Sequence, residues 1–238
     1  MENPDCDIDS GTCQPVGAGS GQNRVQELRA GRELIYIGDP MCSWCWGIAP
    51  ALKQLRDYCQ SQHIPFRVVV GGLRPGGGDA WSGEFRQFLA RHWQEISKLT
   101  GQPFSYGILN WESFDYDTEP ACRSVVAARP LLDGAELDFF SAVQSKFYVQ
   151  NEDPKLHGFY RGICEEFKLD FGEFVRRFNS DDVKASTLGE FELSRSWGVS
   201  GFPSVLLQVD ERLTTIATGF STFERMQAAI HSAISNSA

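Results

Sequence analysis

The chain has 238 residues, 42% hydrophobic and 12% aromatic, which is enough for a sizeable core in one large domain or a domain with an insertion. Its formal net charge of −9 argues against nucleic acid and anionic membranes as partners. No apolar run approaches the ~20 residues needed to span a bilayer, and the first residues lack the pattern of a secretory signal. We therefore expect a cytoplasmic protein, and seven cysteines without a disulfide framework also favour a reducing compartment.

Residues 1–32 are polar and rich in Gly, Ser, Asp and Gln. Such a segment buries too little apolar area to offset its ordering entropy, so we predict a flexible N-terminal tail. Cys6 and Cys13 lie in this segment with no histidine or second cysteine pair nearby. We therefore predict exposed free thiols at both positions rather than a metal site.

The central motif of the chain is Cys42-Ser43-Trp44-Cys45, which follows the apolar run Leu34 to Ile37 and opens a helical pattern that reaches about Ser61. Two cysteines separated by two residues at a strand-to-helix junction suit reversible disulfide chemistry, although half of a zinc site has the same spacing. Free N–H groups at a helix N-terminus favour an anion. We therefore predict that Cys42 is an exposed, low-pKa nucleophile and Cys45 a buried resolving thiol.

The rest of the chain predicts an α/β protein in which two strand-containing parts bracket a helical block. Phe66 to Val70 completes a strand–helix–strand unit with the first strand. Residues 79–197 carry apolar and aromatic stripes at helical spacing, which indicate core packing. Ser204 to Val209 and Leu213 to Ala217 then form a predicted hairpin, and a final helix follows.

Two short stretches resemble a known family: the segment around the cysteine pair and the loop Gly201-Phe202-Pro203-Ser204, which resembles the cis-proline loop of thioredoxins. In addition, Pro50 follows Cys45 by five residues, as does the helix-kinking proline of thioredoxins. Together with the segment from Gly38 to Gly47, they resemble the DsbA family, and within it a branch of predicted protein-disulfide isomerases related to FrnE-type proteins. The resemblance covers roughly residues 33–238.

The resemblance implies a thioredoxin fold with a large all-helical insertion. The thioredoxin halves would be residues 33–75 and 198–238, and the insertion residues 76–197. It also implies a thiol–disulfide oxidoreductase of the protein-disulfide reductase or isomerase type, which acts through a mixed disulfide on Cys42 that Cys45 resolves.

The resemblance places the substrate between the dithiol and the proline loop, against Ser43, Trp44, Phe202 and Pro203, the last in a cis peptide. The expected partners are protein or small-molecule thiols and disulfides, glutathione among them. No metal, flavin, nucleotide or other cofactor is implied, and the four scattered histidines show no metal-ligand spacing.

Three positions depart from the family pattern or leave a role open. DsbA proteins carry a carboxylate six residues before the first cysteine, where this chain has Tyr36. Asp39 is either a proton relay for the dithiol or a carboxylate that caps its loop. Trp44 replaces a histidine that can stabilise the thiolate, and its indole offers a single N–H donor, so a less oxidising dithiol than that of DsbA is expected.

Two other functions stay open at the level of sequence. The first is a glutathione-dependent isomerase or transferase of the same fold, although transferases of this layout carry serine in place of the first cysteine. The second is a protease adaptor or binding module with a vestigial dithiol. The remaining cysteines lie in apolar helical patterns and are predicted to be buried free thiols: Cys59, Cys122 and Cys164.

Overall fold

The computed structural model describes residues 6–15 and 31–235. A small hairpin comes first, formed by β1 (Cys6–Asp7) and β2 (Thr12–Cys13). The main sheet contains β3 (Arg32–Gly38), β4 (Phe66–Val70), β5 (Ser204–Val209) and β6 (Arg212–Thr218). The helices are α1 (Ser43–Gly47), α2 (Ala49–Ser61), α3 (Gly83–Thr100), α4 (Glu119–Ala128), α5 (Glu136–Tyr148), α6 (Arg161–Glu166), α7 (Phe171–Phe178), α8 (Asp181–Ser196) and α9 (Phe223–Ser235). Every helix in these ranges is too short or too polar to cross a membrane.

Strand β3 lies in the interior of the sheet, whose order is β4-β3-β5-β6. It runs parallel to β4, which the α1–α2 crossover requires, and antiparallel to β5, which forms a hairpin with β6. All its residues after Arg32 are buried, because helices cover the sheet, and the side chains from Leu34 to Ile37 are apolar on both faces. The topology is a thioredoxin fold with a helical insertion, as predicted.

Helices α3 to α8 lie between β4 and β5 in the chain and share an aromatic core. Trp93 contacts Phe104 and Tyr148 with ring centroids 5.6 and 5.3 Å apart. Tyr160 packs against Phe174 at 5.2 Å in a second cluster. The predicted aromatic stripes are therefore core packing, as expected.

The active-site helix is divided in two, where the sequence pattern predicted one helix from Ser43 to Ser61. Helix α1 ends at Gly47 and α2 begins at Ala49. Pro50 has no N–H to donate to the carbonyl four residues earlier, on Trp46. Gln102 from the segment after α3 fills that gap, because its Nε2 donates to the Trp46 oxygen at 2.8 Å.

The prediction of a flexible tail with exposed free thiols is wrong for residues 6–15. Cys6 and Cys13 form a disulfide that closes the β1–β2 hairpin, and Cys13 is fully buried. The Cys13 N–H donates to the Phe202 oxygen at 2.8 Å, and the Phe202 N–H donates to the Cys13 oxygen at 2.7 Å. A covalent link and strand pairing thus supply the order that so polar a segment lacks. The remainder of the predicted tail before Gly31 lies outside the described residues.

A charged cluster joins the edge strand β4 to helix α8. One Glu190 carboxylate oxygen accepts the Val70 N–H at 2.9 Å, and the other is paired with Arg129. The Arg129 guanidinium also contacts Glu136 at 2.5 Å and the Val68 oxygen at 3.2 Å. Because Glu190 is 8% exposed, its removal would leave a buried N–H and a half-buried cation without their partner.

We predict that Glu190→Ala lowers the free energy of unfolding by about 2–3 kcal/mol, since Arg129 keeps Glu136 and some solvent contact. Glu190→Gln retains an acceptor for the Val70 N–H and should lose about half as much. Urea denaturation of both variants measures the difference. An alanine variant as stable as the wild type would contradict this account of the cluster.

Candidate active site

The loop before Cys42 is organised by the carboxylate of Asp39, which is fully buried. Its two oxygens accept the Met41 N–H at 2.8 Å and the Leu73 N–H at 2.6 Å, while its backbone oxygen accepts the Cys42 N–H at 3.0 Å. Burial raises the pKa of Asp39, and its hydrogen bonds oppose that change. The sequence left two roles open for Asp39, a proton relay and a cap for its loop, and these contacts are those of a loop cap.

Two tyrosines of the helical block hold the residue just before the motif. The hydroxyls of Tyr116 and Tyr148 both donate to the Met41 oxygen, at 2.9 and 2.6 Å. Both side chains are buried, and buried tyrosine hydroxyls usually find such a partner. Sequence analysis missed them because they lie 75 and 107 residues from Met41. The insertion therefore fixes the backbone from which Cys42 projects.

Cys42 is fully buried, and its sulfur lies 3.7 Å from the Phe202 oxygen. Burial raises the pKa of the Cys42 thiol well above its ordinary value, and the neighbouring Cys45 adds to the effect. The prediction of an exposed, low-pKa Cys42 is therefore wrong for this conformation. The helix N-terminus is present, but desolvation of the thiolate outweighs it. The β1–β2 hairpin pairs with Phe202 immediately beside the thiol.

Cys45 is fully buried, as predicted, and the hydroxyl of Tyr36 lies close to it. A Cβ atom on Gly38 would meet the Tyr36 Oη at 2.3 Å and the Cys45 Sγ at 3.1 Å. Burial raises the pKa of Tyr36 well above its ordinary value, and Cys45 contributes to that change. A neutral phenol, rather than a carboxylate, therefore stands next to the predicted resolving thiol.

Ser43 and Trp44, predicted to contact substrate, are both buried. The Trp44 indole donates its N–H to the Asp7 oxygen of the hairpin at 3.0 Å and packs on Phe220 with ring centroids 5.9 Å apart. Trp46 instead stacks on the Tyr148 ring, with centroids 6.3 Å apart, and so packs against the helical block. In this conformation Trp44 is thus covered by the hairpin.

The structure brings the proline loop to the dithiol. The Phe202–Pro203 peptide is cis, as the resemblance implied. Ser204 pairs with Ile37 at the end of β3, so the loop lies where the chain turns into the Cys42 segment. Phe202 turns both its N–H and its C=O toward Cys13 and therefore offers a strand-pairing edge. Of the predicted site residues, Cys42 contacts Phe202, which precedes Pro203, and Cys45 belongs to the same buried cluster as Cys42 and Phe202.

His92 of helix α3 is another buried group near the motif that the sequence did not single out. Its ring lies edge-on to Trp44, with centroids 6.0 Å apart, and a ring nitrogen lies within 4.8 Å of both sulfurs of Cys6 and Cys13. Because those sulfurs are bonded to each other, they are not available as metal ligands here. Burial lowers the pKa of His92 to about 4, which the nearby Asp7 partly opposes.

We predict that His92 makes the protein acid-sensitive. A histidine whose pKa is lowered from 6.5 to about 4 in the folded state binds more protons when the chain is unfolded. The stability that neutral His92 contributes is therefore fully present above pH 6.5 and is lost as the pH falls to 4. The loss attributable to His92 should reach about 3 kcal/mol. Urea denaturation at several pH values, wild type against His92→Gln, isolates this loss from the carboxylates common to both proteins. Parallel pH curves would contradict the prediction.

A C-x-x-C pair that opens a helix beside a cis-proline strand edge, on a thioredoxin fold, defines a thiol–disulfide oxidoreductase. No protein-family model and no curated sequence matches the chain. Among solved structures, a proposed protein disulfide isomerase from Nitrosomonas europaea is similar, with a TM-score of 0.80 and 32% identity over 87% of this chain and 100% of that chain. The cytosolic disulfide reductase DsbM from Pseudomonas aeruginosa is similar with a TM-score of 0.66 and 27% identity, over 85% and 98% of the two chains. A DsbM structure with GSH gives the same TM-score at 25% identity.

The chain therefore belongs to the DsbA family of thioredoxin-fold thiol–disulfide oxidoreductases. This confirms the predicted family and fold class.

Proposed function

We propose that the protein reduces or isomerises disulfides with the Cys42–Cys45 dithiol through a mixed disulfide on Cys42. The observation that carries the proposal is the position of the Cys42 sulfur, 3.7 Å from the oxygen of Phe202, whose N–H and C=O pair with an extended segment. A substrate strand added at this edge would bring its disulfide to Cys42. Cys45, one helical turn further on, would then release the substrate by attacking the Cys42 sulfur.

The surroundings of the dithiol favour the reducing direction. DsbA is a strong oxidant because its reduced form is stabilised. Here burial disfavours the Cys42 thiolate, and Trp44, which replaces the histidine, supplies no charge. A cytoplasmic location with glutathione as a small-molecule partner fits this direction, and the similar DsbM is named a cytosolic reductase and has a structure with GSH.

A redox titration tests the proposal in a Cys6→Ser/Cys13→Ser background, where only the active-site pair reports. The protein is equilibrated with glutathione mixtures and alkylated, and the state of the tryptic peptide 33–53 is read by mass spectrometry. We expect a reduction potential nearer the value of about −270 mV of thioredoxin than that of about −120 mV of DsbA. A potential near that of DsbA would contradict the reducing direction. A pair that never oxidises would contradict the enzyme and favour the binding-module alternative.

A further inference from the structure

The β1–β2 hairpin occupies the edge at which a substrate strand is expected. Cys13 and Phe202 exchange two backbone hydrogen bonds of 2.8 and 2.7 Å as an antiparallel bridge. This is the main-chain pairing by which extended peptides are recognised at an open strand edge. The residue that makes the pairing is a cysteine in a disulfide. The hairpin therefore presents an oxidised sulfur pair as a substrate would.

Further contacts fix the hairpin in this position. The Phe220 N–H donates to the Gly11 oxygen at 3.0 Å, and the Trp44 indole donates to the Asp7 oxygen at 3.0 Å. The Asp7 carboxylate also accepts the Asp9 N–H at 2.7 Å, which shapes the turn between the two strands. Bonds from both the proline-loop side and the motif itself thus hold the disulfide over the site.

One residue of each cysteine pair contacts the same backbone oxygen, that of Phe202. The Phe202 oxygen accepts the Cys13 N–H at 2.8 Å, and the Cys42 sulfur lies 3.7 Å from the same oxygen. Cys13, Cys42 and Cys45 belong to one buried apolar cluster. Cys42 and Cys45 are free thiols, whereas Cys6 and Cys13 are bonded. A reduced pair and an oxidised pair therefore have residues in the same buried cluster, joined through the Phe202 oxygen.

We propose that Cys6–Cys13 is a second redox centre, which exchanges electrons with the Cys42–Cys45 dithiol inside one chain; this rests on the proposed function. The Cys42 thiolate attacks the Cys13 sulfur, the Cys6–Cys13 bond breaks, and Cys6 leaves as a thiolate. The Cys45 thiolate then attacks Cys42 and releases Cys13. Two electrons pass from the active-site dithiol to the hairpin pair, and the two protons lost by Cys42 and Cys45 end on Cys6 and Cys13.

His92 gives the leaving sulfur a polar neighbour in an otherwise apolar setting. One of its ring nitrogens lies within 4.8 Å of both hairpin sulfurs. Its Nε2 is buried and has no hydrogen-bond partner within the part of the chain that the structure describes. A neutral imidazole carries one N–H donor, and a developing Cys6 thiolate is an acceptor for it. His92 thus places a hydrogen-bonding group near the Cys6 sulfur, on which negative charge develops during the exchange.

Two matched variants of the full chain test which sulfur meets Cys42. Cys6→Ser/Cys45→Ser keeps Cys13 with Cys42, and Cys13→Ser/Cys45→Ser keeps Cys6 with Cys42. Each is reduced, freed of reductant, treated with glutathione disulfide, quenched with acid at intervals and digested with trypsin. The cysteines of interest lie in the separate peptides 1–24 and 33–53, so a linked pair of peptides reports the bond.

We expect the Cys13–Cys42 link to form at least about tenfold faster than the Cys6–Cys42 link, because strand pairing raises the effective concentration of Cys13 at Cys42. In urea the two rates should converge. Equal rates in the folded proteins, or no link in either, would overturn the proposal.

A third variant, Cys6→Ser/Cys13→Ser/Cys45→Ser, separates this inference from the proposed function. If its Cys42 forms a mixed disulfide with glutathione while the double variants form no link, the second redox centre is wrong and the oxidoreductase stands. If its Cys42 does not react, the proposed function fails, and the exchange that rests on it fails too.

Discussion

Cys42→Ser is expected to lower the rate of disulfide reduction at least about a thousandfold, because a hydroxyl does not replace the thiolate as nucleophile in disulfide exchange. The proposed function gives this role to Cys42, whose sulfur lies 3.7 Å from the strand-pairing oxygen of Phe202. Glutathione-coupled reduction of a model protein disulfide measures the rate. The comparison with Cys45→Ser gives the order of the two steps, since that variant should still attack and then accumulate the mixed disulfide.

Cys59→Ala is the matched control for the loss of a buried thiol. Cys59 lies in α2, and burial raises its pKa to about 12, so it is inert near neutral pH. Its removal should change the rate less than about twofold, as it affects packing alone. A Cys45→Ser variant that no longer attacks, together with an active Cys42→Ser variant, would reverse the assigned roles.

The fold and the position of the dithiol could be predicted because their signals are local. The apolar run that forms β3 is buried on both faces, and the strand predicted from Phe66 to Val70 has these same bounds in β4. The cysteine pair lies at the β3-to-α1 junction, as the change from a strand pattern to a helical pattern in the sequence indicates. The opposing loop, Gly201 to Ser204, was predicted instead from its resemblance to the cis-proline loop of thioredoxins.

The surroundings of the dithiol could not be predicted because they depend on contacts distant in sequence. Strands β1 and β2 have two residues each, too few for any periodicity, and spacing alone does not show that Cys6 pairs with Cys13. The hairpin docks on Phe202, far along the chain. The low pKa predicted for Cys42 rested on the helix N-terminus alone. Burial instead raises this pKa above its ordinary value.

Gly11→Ala is expected to open the site by displacing the hairpin. Gly11 has a φ of +64°, and an added Cβ would lie 2.8 Å from the Phe220 Cβ and 2.9 Å from its backbone nitrogen. The left-handed conformation costs ~1 kcal/mol for a residue with a Cβ, and the clash with backbone adds to this. A weakening of docking by about 2 kcal/mol raises the open fraction about thirtyfold.

Alkylation of Cys42 by iodoacetamide, read on peptide 33–53, follows this opening. In the wild type the rate should keep rising with pH beyond the ordinary range of a thiol, because burial raises the pKa of Cys42. Gly11→Ala should increase the rate at pH 8 by about 10- to 100-fold, since the reagent reaches the open form.

Gly134→Ala is the matched control: its φ is +73°, but an added Cβ meets nothing within 4 Å. The control should react at the wild-type rate, because the backbone strain that it introduces lies away from the hairpin. If Gly11→Ala also reacts at the wild-type rate, the hairpin is not the barrier that shields Cys42.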